Sequence, residues 1–142
     1  MEHEGIRRTL AAYCQLLDDG RFDEWVDTFT EDVAFAVMGR TYRGREAVRG
    51  FVEPTQGPDA RGRHVLSEPL IDVEPAGDRA TVATDYCFVS RDLAVLSAGR
   101  YHDVLVRDTD GAWRIAAREI VFVGDERRGV APAGAATEEG TR

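Results

Sequence analysis

The chain has 142 residues and a formal charge of −8, which suits one domain that buries about two thirds of its unfolded surface. Its eighteen basic residues are all arginine, and neither lysine nor asparagine occurs. An acidic chain without a basic run is a poor binder of phosphate backbones, which argues against nucleic acid and anionic membrane and leaves a small molecule as the expected partner.

Residues from about Glu4 to Asp19 predict a first helix, with Ile6, Leu10, Tyr13 and Leu17 on one face. Gly20 stands where a left-handed C-terminal cap belongs. Asp18 and Asp19 in the last turn break a local rule, because the helix dipole disfavours anions there, and such breaks mark strained or functional positions. Asp19 reads as a solvated turn residue, whereas Asp18, one turn beyond Cys14, reads as buried. A short second helix covers roughly Phe22 to Phe29, and VAFAVM follows with strand propensity. Gly39 to Gly44 suits a turn or hairpin. Ala47, Val48, Phe51 and Val52 suit a third helix that Pro54 ends, and TQGPDARGR is a loop.

Strands fill the rest. HVLSEPLIDVE carries Pro69 and predicts two pieces or an irregular edge strand. RATVATDYCFVSR, SAGRYHDVLVR and AWRIAAREIVFV alternate over long spans, the last two joined by an Asp110–Gly111 hairpin signal. Helices followed by strands predict an α+β fold, in which a curved antiparallel sheet wrapped by three N-terminal helices forms a cone around an apolar pocket. Cys14 and Cys87 lie inside apolar runs, as buried free thiols of a reducing compartment do. No basic-apolar leader and no bilayer-length apolar run occur, so a cytoplasmic protein is expected. Beyond Gly124 the chain is small, polar and proline-bearing, which gives a domain over residues 1–124 and a largely disordered tail over 125–142. Apolar residues on both faces of the strands predict a homodimer or homotrimer joined through the outer face of the sheet.

YCQLLDDGRFDEWVDTFTEDV, the GRH that begins at Gly62, the GRYHD that begins at Gly99 and the WRIAAR that begins at Trp113 together resemble the nuclear transport factor-like superfamily. Within it the likeness is to the SnoaL-like branch, which includes scytalone dehydratase and bile acid dehydratase, and it spans residues 4–123. The resemblance implies the cone fold and an acid–base pair made by a helix-end aspartate and a strand histidine, here Asp18 and His64. It also implies a tyrosine five residues before the aspartate, a second aspartate on a central strand and an arginine on the last strand, here Tyr13, Asp85 and Arg118. Scytalone dehydratase has a second histidine on the central strand, where this chain reads TDYCF from Thr84 to Phe88.

The chemistry such a pair supports begins with removal of a C–H proton next to a carbonyl, a task suited to histidine. A carboxylate on the other ring nitrogen fixes the tautomer and stabilises the imidazolium. The developing enolate needs a donor, for which Tyr13, Tyr101 and Arg118 are candidates. Plainer readings stand beside these. His64 as a structural residue, Tyr13 as core packing and Arg118 paired with Asp103 across neighbouring strands all fit the pattern, and periodicity leaves open whether Asp85 or Tyr86 faces the cavity. His3, His64 and His102 have no metal-ligand spacing, and no cofactor is expected. The expected activity is that of a cofactor-independent lyase or isomerase, a dehydratase or polyketide-type cyclase acting on a small apolar ring compound in secondary metabolism. The alternatives are a non-catalytic ligand-binding protein of the same fold, or the small subunit of a ring-hydroxylating dioxygenase, which needs a large iron-bearing partner.

Overall fold

The computed structural model describes residues 2–125; apart from Asp125, the tail expected to be disordered lies outside the described residues. Helix α1 (Glu2–Asp18) buries Ile6, Leu10, Tyr13, Cys14 and Leu17, none more than 4% exposed, against the sheet. Helix α2 (Phe22–Trp25) is shorter than its apolar spacing suggests. The chain tightens into a 3-10 turn over Val26–Thr28, where the Thr28 hydroxyl donates to the Trp25 carbonyl at 2.7 Å, and Phe29 is already extended. Phe29 therefore opens strand β1 (Phe29–Val37), and its ring meets Tyr13 and Trp25 edge to face at 5.8 and 5.1 Å. A left-handed turn at Met38 and Gly39 leads to β2 (Arg40–Arg43), and α3 (Arg45–Val52) packs over these two strands.

Pro69 divides the next apolar run into β3 (Arg63–Leu66) and β4 (Leu70–Val73), both antiparallel to β5 (Arg79–Val89). Strands β6 (Val95–Arg107) and β7 (Trp113–Phe122) complete a seven-stranded sheet of order β2-β1-β7-β6-β5-β3, with β4 beside β5. One pair departs from the antiparallel expectation. Strand β1 runs parallel to β7, since the chain between them is long enough to return in either direction. Bulges between Phe88 and Val89 and between Val104 and Leu105 bend the long strands. Neither Cys14 nor Cys87 is in a disulfide. Among the described residues no helix is long and apolar enough to cross a membrane.

The start of β3 depends on a close approach. A Cβ on Gly62 would lie 2.1 Å from the Val89 carbonyl oxygen, an atom held in a strand, and 3.1 Å from the Phe88 ring. Gly62→Ala should therefore destabilise the fold by about 1–3 kcal/mol, as overpacking does. Urea unfolding should show this as a lower midpoint at unchanged slope; an unchanged midpoint would mean that β3 separates from β5 at no cost.

Candidate active site

The site begins at the end of α1. Gly20 adopts φ +73°, its N–H donates to the Leu17 carbonyl at 3.0 Å, and the Arg21 N–H donates to the Leu16 carbonyl at 2.9 Å. This is a Schellman cap, and it fixes Asp18 in the final helical turn. Asp18 is 4% exposed, whereas Asp19 is exposed. The Asp18 carboxylate meets β3: Oδ2 accepts the backbone N–H of His64 at 2.8 Å, and Oδ1 lies 2.6 Å from His64 Nδ1. Strand β3 is the last strand of the sheet on its side, which leaves that N–H for the carboxylate rather than for a ladder. Two donors thus offset the unfavourable position of an anion at the negative end of the helix.

A carboxylate only accepts, so Nδ1 carries a proton and the neutral ring presents its lone pair at Nε2. Nε2 has no hydrogen-bond partner among the described residues. The ring lies 4.8 Å from Phe88 and 6.5 Å from Tyr86, centroid to centroid. The Tyr86 hydroxyl is 2.8 Å from Ser97 Oγ, and its ring stacks on Tyr101 at 4.5 Å with 7° between planes. Gly99, opposite Tyr86, leaves room for this ring, which a Cβ there would approach to 3.1 Å.

Beneath the stack lies Arg118. Its Nε and Nη2 donate to the two oxygens of Asp103, each at 2.8 Å, and both side chains are fully buried. Its guanidinium carbon sits 3.7 Å from the centre of the Tyr101 ring and 4.2 Å from that of Tyr13. Arg118 Nη1 and Thr84 Oγ1 are buried without hydrogen-bond partners.

Burial pushes the Tyr13 phenol up to about 12, although the Arg118 charge opposes this. Burial also raises Tyr101 well above the usual range, and Tyr86 less so, the Ser97 hydrogen bond pulling the latter back. These phenols are neutral donors at neutral pH rather than bases. Burial would lower Arg118, but the charge and hydrogen bonds of Asp103 outweigh it and the net shift is upward. The Cys14 thiol is pushed up to about 12, chiefly by burial, which leaves it a poor nucleophile.

The structure brings Asp18 and His64 into contact and sets Tyr13, Tyr101 and Arg118 together as a sealed floor, each at most 3% exposed. Arg118 is tied to Asp103, as the ion-pair alternative has it. Asp85 is a correction: its side chain is 51% exposed and pairs with Arg100 on the outer face of the sheet, which holds its carboxyl below the usual range. Tyr86 points inward instead, in step with Ala80, Val82 and Thr84. The signal was present in the sequence, because Arg79 and Asp85 share one phase of β5 and charge marks the solvent face. Ser97 carried no comparable signal.

Two outcomes follow from the buried floor. Asp103→Asn should cost about 3–5 kcal/mol by leaving a buried guanidinium without its counter-charge, read by urea unfolding. Tyr13 is raised from 10.0 to about 12, so its contribution to stability is complete below pH 10 and is lost as pH rises through about 12. Absorbance titration at 295 nm should accordingly show a late phenolate component that shrinks in Tyr13→Phe; loss of a component near pH 10 instead would place Tyr13 in water.

The SnoaL-like domain family matches residues 2–119. Among solved structures, an Asp-to-Asn variant of Rv3472, a protein of unknown function from Mycobacterium tuberculosis, is 33% identical over 83% of this chain and 69% of its own, with a TM-score of 0.71. A protein from Catenulispora acidiphila in complex with S-DNPA is 32% identical over 91% of this chain and 96% of its own, TM-score 0.68. A protein from Novosphingobium aromaticivorans provisionally named a scytalone dehydratase is 25% identical over 84% of this chain and 82% of its own, TM-score 0.72. A search of curated proteins gives no match. With a match that spans both the helices and most of the sheet, the chain belongs to the SnoaL-like domain family.

Proposed function

We propose that the protein is a cofactor-independent lyase or isomerase that takes a proton from the carbon next to a carbonyl in a small, largely apolar ring compound. The observation that carries this reading is the contact of 2.6 Å between Asp18 and His64 Nδ1, with Nε2 left free among the described residues. His64 Nε2 accepts the proton, the C–H electrons pass into the enolate, and Asp18 stabilises the resulting imidazolium. In an elimination the same imidazolium returns its proton to the departing hydroxyl, which leaves as water. The balance draws electrons from nowhere else, so no redox partner or group carrier is needed. Phe88 and Tyr86 beside the ring favour a flat apolar body. The neutral Tyr86 phenol beside the ring supplies a donor for a developing oxyanion, and the sealed floor of Tyr101, Tyr13 and Arg118 holds it in place. The dehydratase name of the Novosphingobium relative is in keeping with this chemistry.

Part of the same proposal is a homodimer or homotrimer formed through the outer face of the sheet, where Val65 and Leu70 are 50% and 73% exposed. Sedimentation showing a monomer at micromolar concentration would remove it.

Deuterium exchange next to the carbonyl of small cyclic ketones in heavy water, followed by NMR, tests the reaction class before a substrate is known. His64→Ala should slow the exchange by about a hundredfold or more, with the fold intact by circular dichroism. Asp18→Asn should be nearly as damaging, because the amide reaches the ring but cannot offset its charge. Full exchange in both variants would reduce the pair to a structural contact and favour a ligand-binding protein.

A further inference from the structure

The arginines of this chain are mostly engaged by carboxylates: eight of the fifteen among the described residues form ion pairs. Arg61, Arg63 and Arg91 do not. Arg61 Nε donates to the Gln56 carbonyl at 3.0 Å, Arg63 Nη1 to the Gly62 carbonyl at 2.9 Å and Arg91 Nη2 to the Pro58 carbonyl at 2.7 Å. All three line one cleft of about 640 Å³, with Asp18 in its wall.

The fold gathers them. The Arg61 guanidinium covers Gly20, where a Cβ would lie 2.4 Å from its central carbon. Gly62 lets the start of β3 close on Val89, and Arg91 follows in the turn after β5. Three like charges in one cleft repel each other, in a chain whose 26 acidic residues outnumber its 18 basic ones. Two carboxylates share the cleft. Both oxygens of Asp18 are occupied by His64, and Asp19 pairs with none of the three arginines. The larger groove of about 770 Å³, on another side of α1, differs in degree: of its three arginines, Arg45 and Arg114 are tied to Asp27, and Arg114 also to Asp108 and Asp110, which leaves Arg8 alone of the three without an ion pair among the described residues. Guanidinium forks match the oxygens of phosphate, and the cleft has room for more than a single anion.

We propose that this cleft binds the phosphate group of an organic ligand through Arg61, Arg63 and Arg91. Asp18 belongs to both the cleft wall and the acid–base pair, so a phosphate held there acts on the pair through that carboxylate. That link to turnover rests on the function proposed above, whereas phosphate binding does not.

Isothermal titration of the full chain with pyrophosphate at low salt tests the site. One saturable site is expected, and Arg63→Gln combined with Arg91→Gln should weaken it by about tenfold or more, with much of its salt dependence lost. Arg40→Gln, on β2, should leave it unchanged. If the double variant does not fold, the single Arg91→Gln should still show a severalfold loss, since that side chain lies on an exposed turn. Pyrophosphate binding is read without turnover, which separates failure of the acid–base pair from failure of the cleft. Absence of saturable binding, or equal affinity in the arginine variants, would reduce the three side chains to clamps on the backbone. Equal binding of succinate would overturn the phosphate assignment.

Discussion

A carboxylate placed at the negative end of a helix and then buried is the interaction on which the candidate site depends. Asp18 is only 4% exposed and the helix offers it no donor, so the two N–H groups of His64 supply the compensation. The requirement is mutual. The same carboxylate fixes the imidazole tautomer, sets the ring plane and ties the edge strand β3 to α1. Gly20 makes this possible, because its positive φ ends the helix within one residue and keeps Asp18 from swinging into solvent.

Below the pair, the floor solves a different problem. A buried guanidinium is tolerated because Asp103 meets it with two hydrogen bonds and because two phenol rings offer their faces to its charge. Buried ion pairs often add little net stability over apolar packing. What this one adds is position: Tyr101 and Tyr13 are held around a fixed cation, and Tyr86 is held in turn by stacking on Tyr101. From Arg118 the column rises through Tyr101 to Tyr86, and His64, set by Asp18, stands at its top.

Much of this arrangement was legible in the sequence. Alternation located all the long strands, Pro69 marked the break between β3 and β4, and the apolar spacing of α1 placed Asp18 on the buried side. The resemblance paired it with His64 across 46 residues, which no periodicity could do. Two features escaped because they depend on partners remote in the chain. The parallel pairing of β1 with β7 leaves no turn signal, and Arg91 meets Arg61 and Arg63 only once β3 has docked on β5. Asp85 escaped for a local reason: beside a tyrosine in an alternating strand, phase alone decides which faces the cavity, and the phase is set by the charged residues at the strand's far end.

The parallel ladder between β1 and β7 also sets an order for folding. Strands β5, β6 and β7 are joined by short turns and pair locally, whereas Ala34 meets Ala117 only after the intervening chain has closed on itself. Closing so long a loop is entropically costly, and contacts of that kind form late. On the ribosome the first third of the protein, Asp18 included, must wait for the last strand to emerge before β1 has a neighbour on that side. Until then the apolar face of α1 and the inner edge of β1 stand open to whatever else is near, so the residues made first are the last to be protected.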